Sequence, residues 1–477
     1  MPATTAVGAR ELPRVIQGGM GVAVSGWRLA RAVAETGQLG VVSGTALDAV
    51  MTRRLQLGDP GGHVRRALAA FPAPELARAV VERFHVPGGV ADGARFRTQP
   101  MLRADKGLPA EVLTVLGNFV EVWLAKEGHQ GQVGVNYLEK VQLATAPAMF
   151  GAILAGVDHV LVGAGLPGHI PGLARQLSRC EPVTVHLRVE GDEETYAHRF
   201  DPRALTGEVG GLRRPQVLAI VSLPVLASYL ARDEATRPDG FVVETHWAGG
   251  HSAPPRGALR LGSTGEPLYG ARDLPDLAKM TALGIPYWLA GGTADPAALA
   301  TARAAGAAGV QIGSAFALCE ESGIEPGLRA ELARRARDGS LNVRNDPAAS
   351  PTAFPFKVAD LPGTLADEKV RDARRRVCDL GYLRTPYRTD KGAVGYRCPA
   401  EPQAAYARKG GEAGDTEGRL CLCNGLLATV GLAQRRPGGG AEPPVVTIGQ
   451  DLGFLAALSP DGAPYGAADV VGWMLAE

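Results

Sequence analysis

Eight short runs of β-branched and other apolar residues recur between residues 14 and 314, and most are followed by an alanine-rich, helix-patterned stretch. They are RVIQ (14–17), LGVVSG (39–44), GQVGVNY (131–137), VDHVLVGAG (157–165), QVLAIVS (216–222), GFVVE (240–244), PYWLAGG (286–292) and GVQIGS (309–314). Strands that alternate with helices predict a parallel sheet, because a parallel pair needs a long crossover between its members. Runs that are apolar on both faces must be covered on both faces. Eight such units predict an α/β fold of the closed (β/α)8 TIM-barrel type. Ser25 stands where the first helix would take an N-cap.

Two segments break the rhythm. VTVHLRVEGDEETYAHRFDP (183–202) alternates at period two around an acidic turn, which predicts an inserted β-hairpin with His186 and His198 exposed. After about residue 335 the alternation stops, and charged helices give way to glycine- and proline-rich loops. The expected partition is a barrel over residues 1–335 and a helical, loop-rich C-terminal appendage over 336–477 that packs on it. A chain of 477 residues is long enough for both.

Composition narrows the function classes. With 45% hydrophobic and 21% charged residues the chain has the balance of a folded globular protein. A net charge of +1 offers no footprint for nucleic acid or an anionic membrane, so neither is expected as a partner. No uninterrupted apolar run approaches membrane-spanning length, and MPATTAVGAREL lacks the charged-then-apolar pattern of a signal segment. A cytoplasmic location is the resulting expectation. Six cysteines are too few for a disulfide scaffold in so long a chain. Four of them, Cys378, Cys398, Cys421 and Cys423, fall in the appendage. They could hold zinc or an iron–sulfur cluster, but their spacing lacks paired CxxC knuckles. Buried or free thiols are the favoured reading, and no metal ligand is assigned.

In a barrel of this kind chemistry sits at the C-terminal strand ends. The last two strands end in Gly291-Gly292 and Gly313-Ser314, where bare backbone can approach phosphate oxygens. The first strand runs into Gly18, Gly19, Met20 and Gly21, and the third carries Asn136, whose amide both donates and accepts. A flat ring with imide-like edges and a single phosphate would suit that arrangement, and FMN fits the description. The stretch WAGGHSAPPRG (247–257) places His251 after the GFVVE strand on similarly bare backbone. An imidazole with an ordinary pKa near 6.5 can exchange a proton at neutral pH. His246 lies close to the same strand end, and Arg256 reads best as a solvated charge.

QGGMG, GVNY, AGGH, LAGGT and GVQIGSAF stand in an order and spacing that resembles the nitronate monooxygenase (2-nitropropane dioxygenase) family. RPQVLAIVS, AGGHSAPPRG, GEPLYG and ALCEESG are similar to a long subgroup that includes the trans-acting enoyl reductases of polyunsaturated fatty acid synthases. The resemblance covers roughly residues 10–325. It implies an FMN-binding barrel with Gly19, Met20, Gly21 and Asn136 near the ring, and Gly249 and Gly250 against the cofactor. Gly291, Gly292, Gly313 and Ser314 would hold the phosphate, and His251 would be the catalytic histidine. The family often has glutamate where this chain has Trp247. The implied activity is oxidation of nitronates or nitroalkanes with O2. The alternative is NAD(P)H-dependent reduction of an enoyl thioester on a carrier protein. A third class is a flavin-binding electron-transfer or partner subunit with a cysteine-bound metal. A small-molecule substrate or a carrier-protein thioester is the expected partner, and a homo-oligomer is left open.

Overall fold

The computed structural model describes residues 11–104, 107–193, 195–436 and 439–476. The stretch 1–10 read for a targeting signal, position 194 of the acidic turn and positions 437–438 of the glycine-rich tail lie outside the described residues.

Among the described residues, ten strands precede the tail: β1 (Val15–Gln17), β2 (Gly40–Ser43), β3 (Val133–Leu138), β4 (His159–Gly163), β5 (Val183–Leu187), β6 (Tyr196–Phe200), β7 (Gln216–Val221), β8 (Gly240–Glu244), β9 (Tyr287–Ala290) and β10 (Gly309–Ile312). Eight form one all-parallel sheet in the order β1-β10-β9-β8-β7-β4-β3-β2. Its edges meet through Ile16 and Leu39, where the Gln17 N–H donates to Leu39 O at 2.9 Å and the Leu39 N–H to Val15 O at 3.2 Å. That closes a (β/α)8 barrel. Ile16, Val41, Leu161, Leu218, Val242 and Trp288 point inward and fill it, so the barrel is a packed core. The Trp288 indole donates to Pro13 O at 2.7 Å, which satisfies the polar edge of a fully buried ring.

The helix Leu108–Lys126 is long and apolar enough to cross a membrane by length and composition, although Glu111 and Glu121 interrupt its apolar run. It is the central support of the barrel's flank, with 78% of its apolar window buried inside the protein. Between β4 and β7, β5 and β6 pair antiparallel from Val183↔Phe200 to Leu187↔Tyr196. The hairpin lies on the barrel, and Phe200 meets Phe150 edge-on at 6.0 Å. His186 is exposed, but His198 is buried, contrary to expectation. It shares the inward face with Phe200, and its Nε2 lies 3.0 Å from Glu111 Oε1. Ser25 does not cap the first helix either. Gly26 occupies that position, and the Ser25 hydroxyl accepts from Met20 N at 2.9 Å to fix the first glycine loop.

The tail adds two antiparallel ribbons, β11 (Val343–Asp346) with β12 (Phe356–Ala359), and β13 (Thr385–Arg388) with β14 (Val394–Arg397). Its apolar residues extend the barrel's own cores. Val446, Ile448 and Phe454 join the cluster around Val310 and Phe316, while Leu380, Leu427 and Leu432 join the one around Leu116 and Phe119. The region after residue 335 is therefore built into the molecule, and its loops reach the C-terminal ends of the strands.

One consequence concerns acid stability. His159 opens β4 in a buried setting, and burial lowers its pKa from 6.5 to about 4. Between those values the unfolded chain takes up a proton that the folded chain refuses, so stability falls as pH drops from about 6.5 to about 4. The loss is up to about 1.4 kcal/mol per pH unit for such a ring. Urea midpoints at pH 7 and pH 5 should drop less in His159→Gln than in the wild-type chain.

Candidate active site

A cavity of about 500 Å³ opens at the C-terminal ends of the barrel strands. All eleven residues named from the sequence line it: Gly19, Met20, Gly21, Asn136, Gly249, Gly250, His251, Gly291, Gly292, Gly313 and Ser314. They come from five different strand ends, and the barrel closure is what brings them together.

The glycine content has a steric cause at two points. A Cβ on Gly19 would lie 2.4 Å from the Asn136 Cβ, so the β1 loop and the β3 tip can touch only without one. Gly291 has φ +92, and a Cβ there would lie 2.5 Å from the Thr245 hydroxyl and 2.8 Å from the Ala248 amide nitrogen. Both conditions select glycine. The β1 loop is also tied down through Gly18, whose N–H donates to Ile312 O at 2.8 Å.

His251 sits in a wall made partly by the tail. Its Nε2 is 2.7 Å from the Ser350 hydroxyl, and its ring meets Phe356 edge-on at 4.8 Å. The flanking loop is clamped by the Gly250 N–H donating to Thr447 Oγ1 at 2.9 Å and the Ser252 N–H donating to Pro355 O at 2.9 Å. Burial pushes the His251 pKa down to about 4, not the ordinary value expected from sequence. The ring is therefore neutral at pH 7. With Nε2 engaged by Ser350, Nδ1 is the nitrogen left for a ligand.

Several site residues were missed in the sequence. Glu244 ends β8 and lines the cavity, and burial raises its carboxyl pKa to about 8. A carboxylate closing the otherwise apolar run FVVE was the signal for it. Gln311 lies in β10 with a buried Oε1 that has no partner, and it also lines the cavity. A polar residue inside the apolar run GVQI could have marked it. Phe354, Phe356, Leu426, Thr447, Ile448 and Gly449 complete the wall from the tail. The Gly449 N–H donates to Ser314 Oγ at 2.9 Å, which joins the tail to the expected phosphate end.

Other residues prove peripheral. His246 is not among the lining residues and stacks on Tyr269 at 4.1 Å. Trp247 does line the cavity and is 48% exposed, so it forms a rim, and Leu166 does the same at 42%.

The residues present fit an isoalloxazine phosphate. Glycine backbone at Gly19 and Gly291 leaves space that a Cβ would fill, and Gln311 Oε1 supplies an unmet acceptor for a ring N–H. Asp451 borders Gly292 on the phosphate side, but it is exposed, so solvent and salt weaken its repulsion.

No curated protein matches the chain. Among solved structures it is similar to FabK from Thermotoga maritima, at 17% identity over 97% of this chain and 91% of that one, with a TM-score of 0.49. It is also similar to nitroalkane oxidase from Streptomyces ansochromogenes, at 18% identity over 98% and 95%, with a TM-score of 0.45. The enoyl reductase domain of MlnA from Bacillus amyloliquefaciens matches at 13% identity over 75% and 66%, with a TM-score of 0.38. Residues 211–344 match the family model described as nitronate monooxygenase. That segment carries His251, Gly249, Gly250, Gly291, Gly292, Gly313 and Ser314. Across it the chain resembles the nitronate monooxygenase family by family model and by motif alike.

Proposed function

We propose that the protein is an FMN-dependent oxidoreductase of nitronate monooxygenase type, which oxidises nitronates with O2. The observation that carries this reading is the convergence of eleven sequence-marked residues on one cavity, seven of them inside the matched segment. Bound in that cavity, FMN would supply the redox chemistry between substrate and O2.

The chain's own residues hold and orient. The bare backbone at Gly291, Gly292 and Gly313 would hold the phosphate, and Asn136 and Gln311 would hold the polar ring edge. When the Ser350 hydroxyl donates to His251 Nε2, the proton of the neutral imidazole rests on Nδ1, from which it donates to an anionic nitronate oxygen. A ring whose conjugate acid has a pKa of about 4 is a weak base toward carbon. The preferred substrate is therefore the preformed nitronate over the neutral nitroalkane. Phe356, edge-on to the ring, shields one side of the histidine from water.

Glu244 is uncharged at pH 7 and becomes an anion as pH rises through about 8. A negative charge inside the cavity opposes a bound nitronate, so kcat/KM for nitronate is expected to fall above about pH 8. In Glu244→Gln that alkaline limb should disappear, with activity at pH 7 within about threefold of wild type. A pH–rate profile of both proteins checks this, and an unchanged limb in the variant would assign it elsewhere.

The apolar rim of Leu166 and Trp247 supports a second reading, in which the cavity takes the acyl chain of an enoyl thioester and NAD(P)H reduces the flavin. Anaerobic mixing separates the two. Bleaching of the flavin by nitronate without NADPH supports the first, and rapid bleaching by NADPH followed by reoxidation with an enoyl thioester supports the second.

A further inference from the structure

The four tail cysteines, far apart in sequence, meet at one place. Cys378, Cys398, Cys421 and Cys423 all line a single small cavity in the tail, apart from the site described above. Cys398, Cys421 and Cys423 pack together in one cluster. Cys423 is also within electrostatic reach of Cys378, Cys398 and Cys421. The remaining two cysteines, Cys180 and Cys319, are buried elsewhere and do not line this cavity.

The elements that present the four thiols are of different kinds. Cys378 lies in a loop, Cys398 follows β14, Cys421 is the N-cap of the helix Leu422–Thr429, and Cys423 is in its first turn. A buried thiol on its own behaves as a small apolar group. Such a role gives no reason for three separate segments to aim their cysteines at one point.

The surroundings suit an anionic group. Cys421 sits at the start of the Leu422–Thr429 helix and takes a backbone hydrogen bond from Asn424, while Cys423 takes one from Leu383, and such donors favour a thiolate. Arg384 lines the cavity, and Arg374 lies within electrostatic reach of Cys421. Glu401, the carboxylate at the edge, is taken up by Lys409 Nζ at 2.6 Å and by the Cys398 N–H at 3.2 Å. Without a metal, burial pushes the Cys378 thiol up to about 11 and raises the other three as well, so the empty set would stay protonated.

A single ion and a cluster ask for different spacings of the four thiols. Among the described residues, no group of three or more His, Cys, Asp or Glu side chains could hold a single metal ion. Tetrahedral zinc draws its thiolates to ~2.3 Å from one centre. A cubane iron–sulfur cluster places a different iron behind each thiolate and so spreads the four sulfurs more widely.

We propose that Cys378, Cys398, Cys421 and Cys423 bind a [4Fe–4S] cluster. The site abuts the wall of the main cavity. Pro351 lines the cysteine cavity next to Ser350, the partner of His251, and Leu426 lines the main cavity ~4.5 Å along the helix axis from Cys423.

The test uses the full-length chain, purified without oxygen and reconstituted with ferrous iron and sulfide in the presence of a thiol reductant. After desalting, iron, acid-labile sulfide and zinc are measured, and an electron paramagnetic resonance spectrum is taken after dithionite reduction. The expected result is about four iron and four sulfide per chain with a cluster signal. Less than one iron per chain, or zinc bound in its place, overturns the proposal. Cys378→Ser, altered in a loop that is not fully buried, is expected to lose most of the iron at an unchanged FMN content, and Cys319→Ser to keep it. Full iron in a folded Cys378→Ser protein also overturns it. FMN content is read independently, so loss of the cluster proposal leaves the flavin site untouched.

Discussion

Gly19→Ala is expected to weaken FMN binding roughly 10- to 100-fold while leaving the barrel folded. The added methyl would sit 2.4 Å from Asn136 Cβ, a distance that real carbon atoms do not share. Either the β1 loop or the β3 tip must withdraw. Overpacking of this kind costs ~1–3 kcal/mol, and here the displaced backbone is the surface meant for the flavin ring. FMN titration followed by fluorescence quenching measures the loss, and a thermal melt of the apoprotein shows that the fold survives. Gly210→Ala is the control, because a Cβ there meets nothing within 4 Å. Equal FMN affinity in Gly19→Ala and wild type would mean that the ring does not lie on this loop.

His251→Ala carries the second large effect. The ring is held by Ser350 and Phe356 and stays neutral down to about pH 4. Its role in the proposed reaction is a hydrogen bond to a charged oxygen, worth ~1.5–3 kcal/mol. The corresponding drop in kcat/KM for nitronate is roughly 10- to 150-fold at unchanged FMN content. The pH dependence separates this role from that of a titrating base. Wild-type activity on nitronate should show no acidic limb near 6.5, because the ring does not gain a proton until about pH 4. A limb near 6.5 that vanishes in His251→Ala would show that the ring cycles a proton at its ordinary pKa.

The barrel was legible because its signal is local and repeated. The eight apolar runs overlap the eight observed barrel strands, and the hairpin's alternation appears as β5 and β6. The ligand-facing glycines were legible for a related reason: only glycine tolerates contacts such as those of Gly19 and Gly291, so their positions are visible in the sequence itself.

What escaped the sequence depends on contacts between distant segments. Ser350 meets His251 across 99 positions, and Thr447 meets Gly250 across 197. No local pattern encodes either. The low His251 pKa follows from the same cause, since the tail buries the ring. His198 was misread because alternation tells which residues share a face but not which face turns inward. Glu244 and Gln311 were visible as polar residues in apolar strands, and their significance came only with the cavity they border.

The central claim is that the glycine-rich strand ends cradle FMN. The most direct measurement is the visible absorption spectrum of the purified full-length protein after incubation with FMN and removal of unbound ligand. The account predicts flavin bands at a stoichiometry of about one FMN per chain, with the FMN released on denaturation. A protein that remains colourless after that incubation would contradict it.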